Sequence, residues 1–361
     1  MASKKKSPAT CNKTLTLTSI GLDIGKDVFH IVGFDGDGKI TLRRKVKRLG
    51  LEDAFSKLPR CIVGMEACLS AHFVSRRLRA LGFEPRIIPA IYVKPFLKGQ
   101  KNDYNDAEAI AEAALRPNLN LVKEKTQDQL DLQASHRVRS RLISRRTATI
   151  NQIRAFLIEQ GIAVRTGASA LRNSLMAILD NRKDEISPRM HELIMDLYED
   201  WIGLDKRIQR ISNEIEKLSK REENCRNLMT APGIGPIIST ATVAAIGTGE
   251  AFDRGRDFGA WLGLVPRQYS TGGKAILGSI SKRGSKYLRT LFIQAAQTIL
   301  MRPNNWKKFS FGPWLAEAEK RLHKNKLVTA LANKLARIAW SILRSGKPFD
   351  THQAEEVAAS I

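Results

Sequence analysis

An aspartate inside an apolar, strand-like run constrains this chain more than any other feature. Gly21-Leu22-Asp23-Ile24-Gly25 lies in a run over residues 17–24, where Ile20, Leu22 and Ile24 surround the carboxylate. A buried carboxylate is costly unless something binds it. A second run covers residues 28–34, and Asp35-Gly36-Asp37-Gly38 joins it to a third over residues 40–47. Asp-Gly between apolar runs signals a hairpin. Residues 62–65 and 85–89 read as short buried strands separated by a helical segment over 69–81. A strand hairpin joined to βα units predicts an α/β domain.

Three more acids extend the pattern. Glu66 follows the apolar run of residues 61–65, and Asp103 and Asp106 stand three apart where a helical pattern starts. On a helix that spacing puts both on one face. Acids at two strand ends and one helix start can hold two hard cations, and two cations can drive phosphodiester chemistry. With the strand hairpin, this is how a ribonuclease-H-like domain looks. Each acid also has a plain reading. Asp103 and Asp106 would complement a helix dipole, and Glu66 would be a surface residue. Asp27, Asp35 and Asp37 compete with the set, though turn chemistry accounts for the last two.

Charge narrows the class of partner. The 361 residues include 60 Lys and Arg against 36 Asp and Glu, a net charge of +24. Such a chain attracts polyanions, with nucleic acid the first candidate. No apolar segment is long enough to span a bilayer, so no membrane role is expected. The basic start lacks the apolar stretch of a signal peptide. Residues 1–15 read as a disordered basic arm and 349–361 as a tail. Cys11, Cys61, Cys68 and Cys225 are scattered without a C-x-x-C pair. Zinc and a disulfide framework are therefore not expected, and a reducing cytoplasm fits.

Residues 126–222 read as a helical, coiled-coil domain. A first long helix covers about 127–160. A second covers about 190–220, with Leu197, Trp201, Leu204, Ile208, Ile211, Ile215 and Leu218 alternating steps of four and three. That alternation makes a coiled-coil seam, used inside the chain as a helical hairpin, between chains as a dimerisation arm, or in both ways if two hairpins pair into a bundle. Ser187-Pro188 precedes the second helix, and Pro suits its first turn. Residues 223–348 read as a mostly helical third domain containing a Gly-bearing basic loop over 266–274.

Basic residues cluster in both regions. Residues 132–172 hold eight arginines, Arg137, Arg139, Arg141, Arg145, Arg146, Arg154, Arg165 and Arg172, against one acid, Glu159. A solvated helix face usually mixes signs, so this one predicts phosphate binding. Residues 258–316 contain no acid and nine cations: Arg267, Lys274, Lys282, Arg283, Lys286, Arg289, Arg302, Lys307 and Lys308. Ser270 sits among them, beside Gly272 and Gly273, whose backbone lets a phosphate approach. A serine hydroxyl there can attack a phosphodiester. Its plain reading is a turn residue, and Thr271 is an alternative hydroxyl. Pro232-Gly233-Ile234-Gly235 resembles a helix-hairpin-helix turn whose amides grip a nucleic-acid backbone, or else is a simple helix–helix turn.

With these residues placed, the chain resembles the DEDD transposases of the insertion-sequence-110 family, the bridge-RNA-guided recombinases of mobile elements. Gly21-Leu22-Asp23-Ile24-Gly25-Lys26, Met65-Glu66-Ala67 and Lys101-Asn102-Asp103-Tyr104-Asn105-Asp106-Ala107 match a RuvC-like N-terminal domain over residues 16–125. Thr230 to Pro236, Gly263 to Lys274 and Ile280 to Gly284 match its C-terminal transposase domain.

The resemblance implies that Asp23, Glu66, Asp103 and Asp106 bind Mg2+, two ions per site, and that Ser270 is the nucleophile. It implies donor and target DNA as substrates, a guide RNA that pairs with both, and a homo-oligomer, dimer or tetramer. In that assembly one subunit's acids work with another subunit's serine. It also implies a prokaryotic, cytoplasmic protein associated with the nucleoid when active. Asn102 and Tyr104-Asn105 depart from the commoner Thr and Arg-Ile or Arg-Val at those positions. A Holliday-junction resolvase with the same acids, and a binding protein without activity, are the competing readings.

Overall fold

The computed structural model describes residues 16–100, 102–302, 306–307 and 309–350. The arm expected over residues 1–15, Cys11, Lys101, Lys308 and most of the expected tail lie outside those residues. The chain divides into two compact units, residues 1–125 and 126–361.

The first unit is a five-stranded mixed sheet in the order β3-β2-β1-β4-β5. Its strands are β1 (Ser19–Ile24), β2 (Val28–Phe34), β3 (Ile40–Lys47), β4 (Ile62–Glu66) and β5 (Glu84–Ile88). The first three form an antiparallel meander, while β4 pairs parallel to both β1 and β5. The β2–β3 turn is closed by Asp35, whose Oδ1 accepts from the amides of Asp37 (3.0 Å) and Lys39 (2.8 Å). That local side-chain bond is why the Asp-Gly stretch turns here.

Both faces of the inner strands β1, β2 and β4 are covered, which explains their nearly continuous apolar runs, while the edge strand β3 is mostly exposed. On one face Ile20, Leu22, Phe29 and Met65 pack with helices α1 (Leu51–Ser56) and α2 (Ala71–Ala80) through Phe55, Val74 and Leu78. A short helix, α3 (Ala90–Val93), follows β5, and α4 (Asp103–Ala114) covers the other face with Ile110, Ala113 and Ala114. A Cβ on Gly21 would lie 1.9 Å from the Ala107 carbonyl oxygen, and one on Gly64 2.6 Å from the Ala114 Cβ. Two glycines facing a row of alanines thus let α4 settle directly onto β1 and β4.

The second unit is mainly helical. It begins with α5 (Gln127–Glu159), α6 (Ala168–Asn181) and α7 (Pro188–Arg221). Thr126 and Gln129 form a reciprocal cap at the start of α5, and Ser187 caps α7 with Pro188 in its first turn. The α5 and α7 helices run antiparallel, since Arg139 bonds Ser212 while Thr149 bonds Asp200. The α7 seam is filled from within the chain. Trp201 joins α5 and α6 residues such as Ile153, Leu157 and Leu175, and Leu204, Ile208, Ile211 and Ile215 meet Leu142. Leu218 stays largely exposed. The helix α6 has no counterpart in the sequence-based expectations.

A third core joins α8 (Glu223–Met229), α9 (Pro236–Ile246), α10 (Gly255–Trp261), α11 (Lys286–Leu300), α12 (Gly312–Arg321) and α13 (Lys324–Ser345). Residues 266–274, expected as a loop, instead belong to a hairpin of β6 (Pro266–Thr271) and β7 (Lys274–Ile280). Gly272 and Gly273 have φ of +55° and +78°, the positive values that a two-residue hairpin turn demands. No described helix is long and apolar enough to cross a membrane.

Candidate active site and nucleic-acid surface

The four acids of the first unit come from three elements that meet at the C-terminal ends of the neighbouring inner strands β1 and β4. Asp23 is near the end of β1 and Glu66 ends the neighbouring parallel strand β4. Asp103 and Asp106 occupy the first turn of α4, whose approach is set by Gly21 two residues before Asp23 and by Ala107 directly after Asp106. Asp23 is held above the usual carboxylate range, first by burial, then by Asp106 and Asp103, with Glu66 adding to the push. Each of the other three acids therefore acts on Asp23. The Cys68 thiol is also pushed up, by burial first and then by Glu66 and Asp23.

One member of the cluster went unread in the sequence. Strand pairing sets His30 of β2 opposite Asp23, and ligand atoms of Asp23, His30 and Asp103 lie within 4.8 Å of one another. His30 Nδ1 is 3.4 Å from Asp103 Oδ2. Only the antiparallel register brings it there, a signal that needed the β1–β2 pairing as well as the acids. The ring stands edge-on to Tyr104, at 4.9 Å between centroids, and Arg43 lies over the Tyr104 ring at 5.7 Å.

The positions that depart from the family's commoner pattern therefore have structural work. Asn102 caps α4 by accepting the Tyr104 amide, and Asn105 donates to the carbonyls of Lys98 and Gln100. Arg48 ties together the two loops that follow the acids. It donates to the carbonyls of Gly25 (2.8 Å) and Lys26 (2.7 Å) after β1, and to Ser70 Oγ (3.1 Å) after β4. Ser70 holds a left-handed backbone, φ +67°.

These donors suit a hard divalent cation. Among the described residues the ligand atoms within 4.8 Å of one another are those of Asp23, His30 and Asp103; Asp106 and Glu66 act on Asp23 through their charge, and only His30 eases it. In so basic a chain, this is a local excess of negative charge that a bound cation would relieve.

The second unit presents the other candidates differently. Ser270 lies on β6 with its hydroxyl accepting from Gln268 Nε2 at 2.7 Å, and every residue from Pro266 to Ser279 is exposed. Arg267, Lys274, Lys282 and Arg283 surround it in sequence, and their side chains form no ion pair among the described residues. No atom comes within 4 Å of a Cβ built on Gly272 or Gly273. Gly233 differs, with φ +78° and a Cβ position 2.9 Å from Ile299, so packing against α11 already accounts for its glycine. Gly235 caps α9 and faces open space.

The arginines of α5 and Arg172 of α6 divide into two groups. Arg145 pairs with Asp200, Arg146 and Arg172 with Asp205, Arg139 with Ser212, and Arg154 with the carbonyls of Arg165 and Gly167. These side chains hold the helices to one another. Arg137 and Arg141 are exposed and form no ion pair or hydrogen bond among the described residues. Of the other cations, Arg289 is buried and donates to the carbonyls of Leu262 and Arg283.

Known proteins match both units. The DEDD transposase family model of the IS110 group matches residues 20–160, and that of the transposase IS116/IS110/IS902 family matches residues 225–310. A probable family 20 transposase of Pseudomonas aeruginosa is 43% identical over 330 residues, covering 91% of this chain and 97% of the relative. The transposase for insertion sequence element IS1328 of Yersinia enterocolitica is 39% identical, covering 92% and 98%. The transposase for insertion sequence element IS1111A of Coxiella burnetii is 38% identical, covering 90% and 89%. A transposase binds and processes DNA, and the DEDD class implies a divalent metal. With its family models matched in both units and relatives aligned over nearly its whole length, the chain belongs to the IS110 family of insertion-sequence transposases.

Proposed function

We propose that the protein is an RNA-guided, Mg2+-dependent recombinase that cuts and rejoins donor and target DNA through a phosphoserine. The observation that carries this reading is the convergence of Asp23, Glu66, Asp103 and Asp106 beneath the Gly21–Ala107 contact. The strand order β3-β2-β1-β4-β5, an antiparallel meander continued by parallel strands, supports a ribonuclease-H-like, RuvC-like domain over residues 16–125. Residues 126–222 serve as its helical domain and 223–348 as its transposase domain.

The four acids hold the cations, two per site, with His30 orienting Asp103 through its ring nitrogen. Bound there, Mg2+ would polarise the scissile phosphate and neutralise charge on the leaving oxygen. Ser270 Oγ forms a bond to phosphorus as the bond to the leaving strand oxygen breaks. The hydroxyl proton passes to solvent and the leaving oxygen takes one up. A strand of the partner duplex then reverses the step, so the bond is conserved rather than hydrolysed. Arg137, Arg141, Arg267, Lys274, Lys282 and Arg283, cations without acidic partners among the described residues, hold the backbones of DNA and guide RNA. The exposed hairpin supports action in a homo-oligomer. The α7 seam packs within the chain as a helical hairpin, and two such hairpins pairing into a bundle would join the subunits.

The test combines protein, RNA from the element's own flank, Mg2+ and labelled donor and target DNA, and seeks an adduct that survives denaturation. The expected adduct requires both the RNA and Ser270, and Ser270→Ala abolishes it while binding persists. Cleavage without an adduct would instead identify a resolvase-like hydrolase, and binding without cleavage a non-enzymatic protein.

A further inference from the structure

One cleft of the second unit is not used by the acids or by the Ser270 hairpin. It has a volume of about 480 Å³ and lies along one face of α5. His136, Arg137, Ser140, Arg141 and Ser144 recur there at steps of three and four, so they project from the same side. Across from them stand Ala241, Ala244 and Ala245 of α9, whose small side chains keep that wall back, and Ser285, Tyr287 and Leu288 at the start of α11. No acid lines it.

The floor is a closed chain of hydrogen bonds with a readable direction. Thr240 Oγ1 donates to the Pro236 carbonyl at 2.5 Å, so it has no proton left for His136. It must accept from His136 Nε2 at 3.0 Å, which leaves Nδ1 to accept from the Tyr287 hydroxyl at 3.0 Å. His136 is therefore a neutral imidazole. Burial, with Arg139 nearby, also pulls its pKa down to about 4. The floor is uncharged at neutral pH, and the charge of the cleft comes from its arginine rim.

That rim is what distinguishes this face of α5. Arg145, Arg146 and Arg172 are neutralised by Asp200 and Asp205, but Arg137 and Arg141, one turn apart at the cleft, have no such partner among the described residues. Ser285 Oγ accepts from the Leu288 amide, which leaves its own proton available to an acceptor in the cleft. Two unpaired guanidiniums beside hydroxyl donors suit phosphate oxygens.

The location adds a second argument. The segment from β7 to α11 is anchored by contacts that only glycine permits. A Cβ on Gly284 would fall 1.8 Å from the Trp261 carbonyl oxygen, and one on Gly263 2.4 Å from that of Arg283. The cleft thus adjoins the fixed joint on which the Ser270 hairpin stands, and the free cations Lys282 and Arg283 belong to that joint.

We infer that this cleft binds a phosphodiester of a nucleic-acid backbone, gripped by Arg137 and Arg141 and steadied by Ser285. It rests on the reading that the second unit holds nucleic acid, and it gives two of those contacts a built site.

The test measures the affinity of the full chain for labelled duplex DNA and for single-stranded RNA across a range of salt. Arg137→Gln with Arg141→Gln should weaken binding on the order of tenfold and, for the one phosphate held, reduce the slope of log affinity against log salt by roughly 0.9 on DNA, or about 0.7 on single-stranded RNA. A control pair, Arg182→Gln with Lys183→Gln, removes the same charge from residues already paired with Glu185 and Asp180, and should leave the slope unchanged. A fall on one polymer alone supports the site and identifies its occupant. An equal fall in the control, or an unchanged slope on both polymers, overturns it. Stabilisation by inorganic phosphate that depends on the two arginines, without a change in either slope, would assign the cleft to free phosphate and overturn the backbone claim. The slopes do not depend on Ser270, so failure to form a phosphoserine would leave this result standing.

Discussion

The acid cluster and the serine hairpin belong to one enzyme but are built in opposite ways. The acids stand on a sheet buried on both faces, under a helix whose distance is set by Gly21 and Gly64, with Arg48 fastening the adjoining loops. Ser270 stands on two exposed strands with Tyr269, Ile276 and Leu277 turned to solvent, at 59%, 53% and 64% exposure. An isolated two-stranded hairpin is marginal in water. The first site is organised by its own chain. The second has a rigid base and an unsupported tip, so it is completed when something packs against it. On the proposed reading, a nucleophile that gains its surroundings only on assembly would have no fixed environment in which to react early.

The largest effect expected from this contrast is a difference between two glycines. Gly21→Ala drives a methyl into the Ala107 carbonyl and the Ala111 amide, and should cost about 3 kcal/mol or more. Thermal unfolding of the first unit should shift down by many degrees, and cleavage should be lost as Asp106 is displaced from Asp23. Gly273→Ala meets no atom and carries only the cost of a left-handed backbone, about 1–2 kcal/mol, confined to the hairpin. Equal melting temperatures for the two variants would break the comparison.

Asp23→Asn sharpens it. Asp23 is held above its ordinary range, so the folded state binds its proton more tightly than the unfolded chain does. Its contribution to stability is therefore greatest below the ordinary carboxylate pKa and falls as pH rises through the elevated value. The substitution should abolish cleavage in the presence of Mg2+, yet at neutral pH without metal it should raise the melting temperature by a few degrees. Added Mg2+ should stabilise the wild type and leave the variant unchanged. A lower melting temperature in metal-free Asp23→Asn would refute the crowding of charge.

Acidification gives a smaller effect of opposite sign. His72 and His136 are both pulled down to about 4, each chiefly by burial. Their stabilising contribution is complete above the ordinary histidine pKa near 6.5 and is lost as pH falls toward 4. The second unit should melt earlier at pH 5 than at pH 7.5, while in the first the His72 loss is opposed by Asp23. Replacing His136 with Gln should flatten that dependence in the second unit while leaving the first unaffected.

What could be read from the chain was local. Strands β2 and β3 fall on residues 28–34 and 40–47, as their apolar runs and the Asp-Gly turn indicate, and α4 starts at Asp103. The long helices α5 and α7 likewise follow their periodicity. What escaped depended on distant partners. His30 joins the acids only through the β1–β2 register, and Arg48 is recognisable as a clamp only once its loops are folded. The α7 seam announces a packed face without naming what fills it. The hairpin at 266–280 was hard to read because its strands have no buried face and so no apolar alternation. Charge density alone likewise could not separate Arg137 and Arg141 from the arginines that pin α5 to α7.

The most direct test is amide hydrogen exchange of the full chain, alone and then assembled with Mg2+, guide RNA and DNA. The account predicts strong protection of β1, β4 and α4 in both states. Residues 266–280 should exchange rapidly in the free protein and slow markedly only in the assembly. A hairpin already protected in the free chain, or one still unprotected in the active complex, would contradict it.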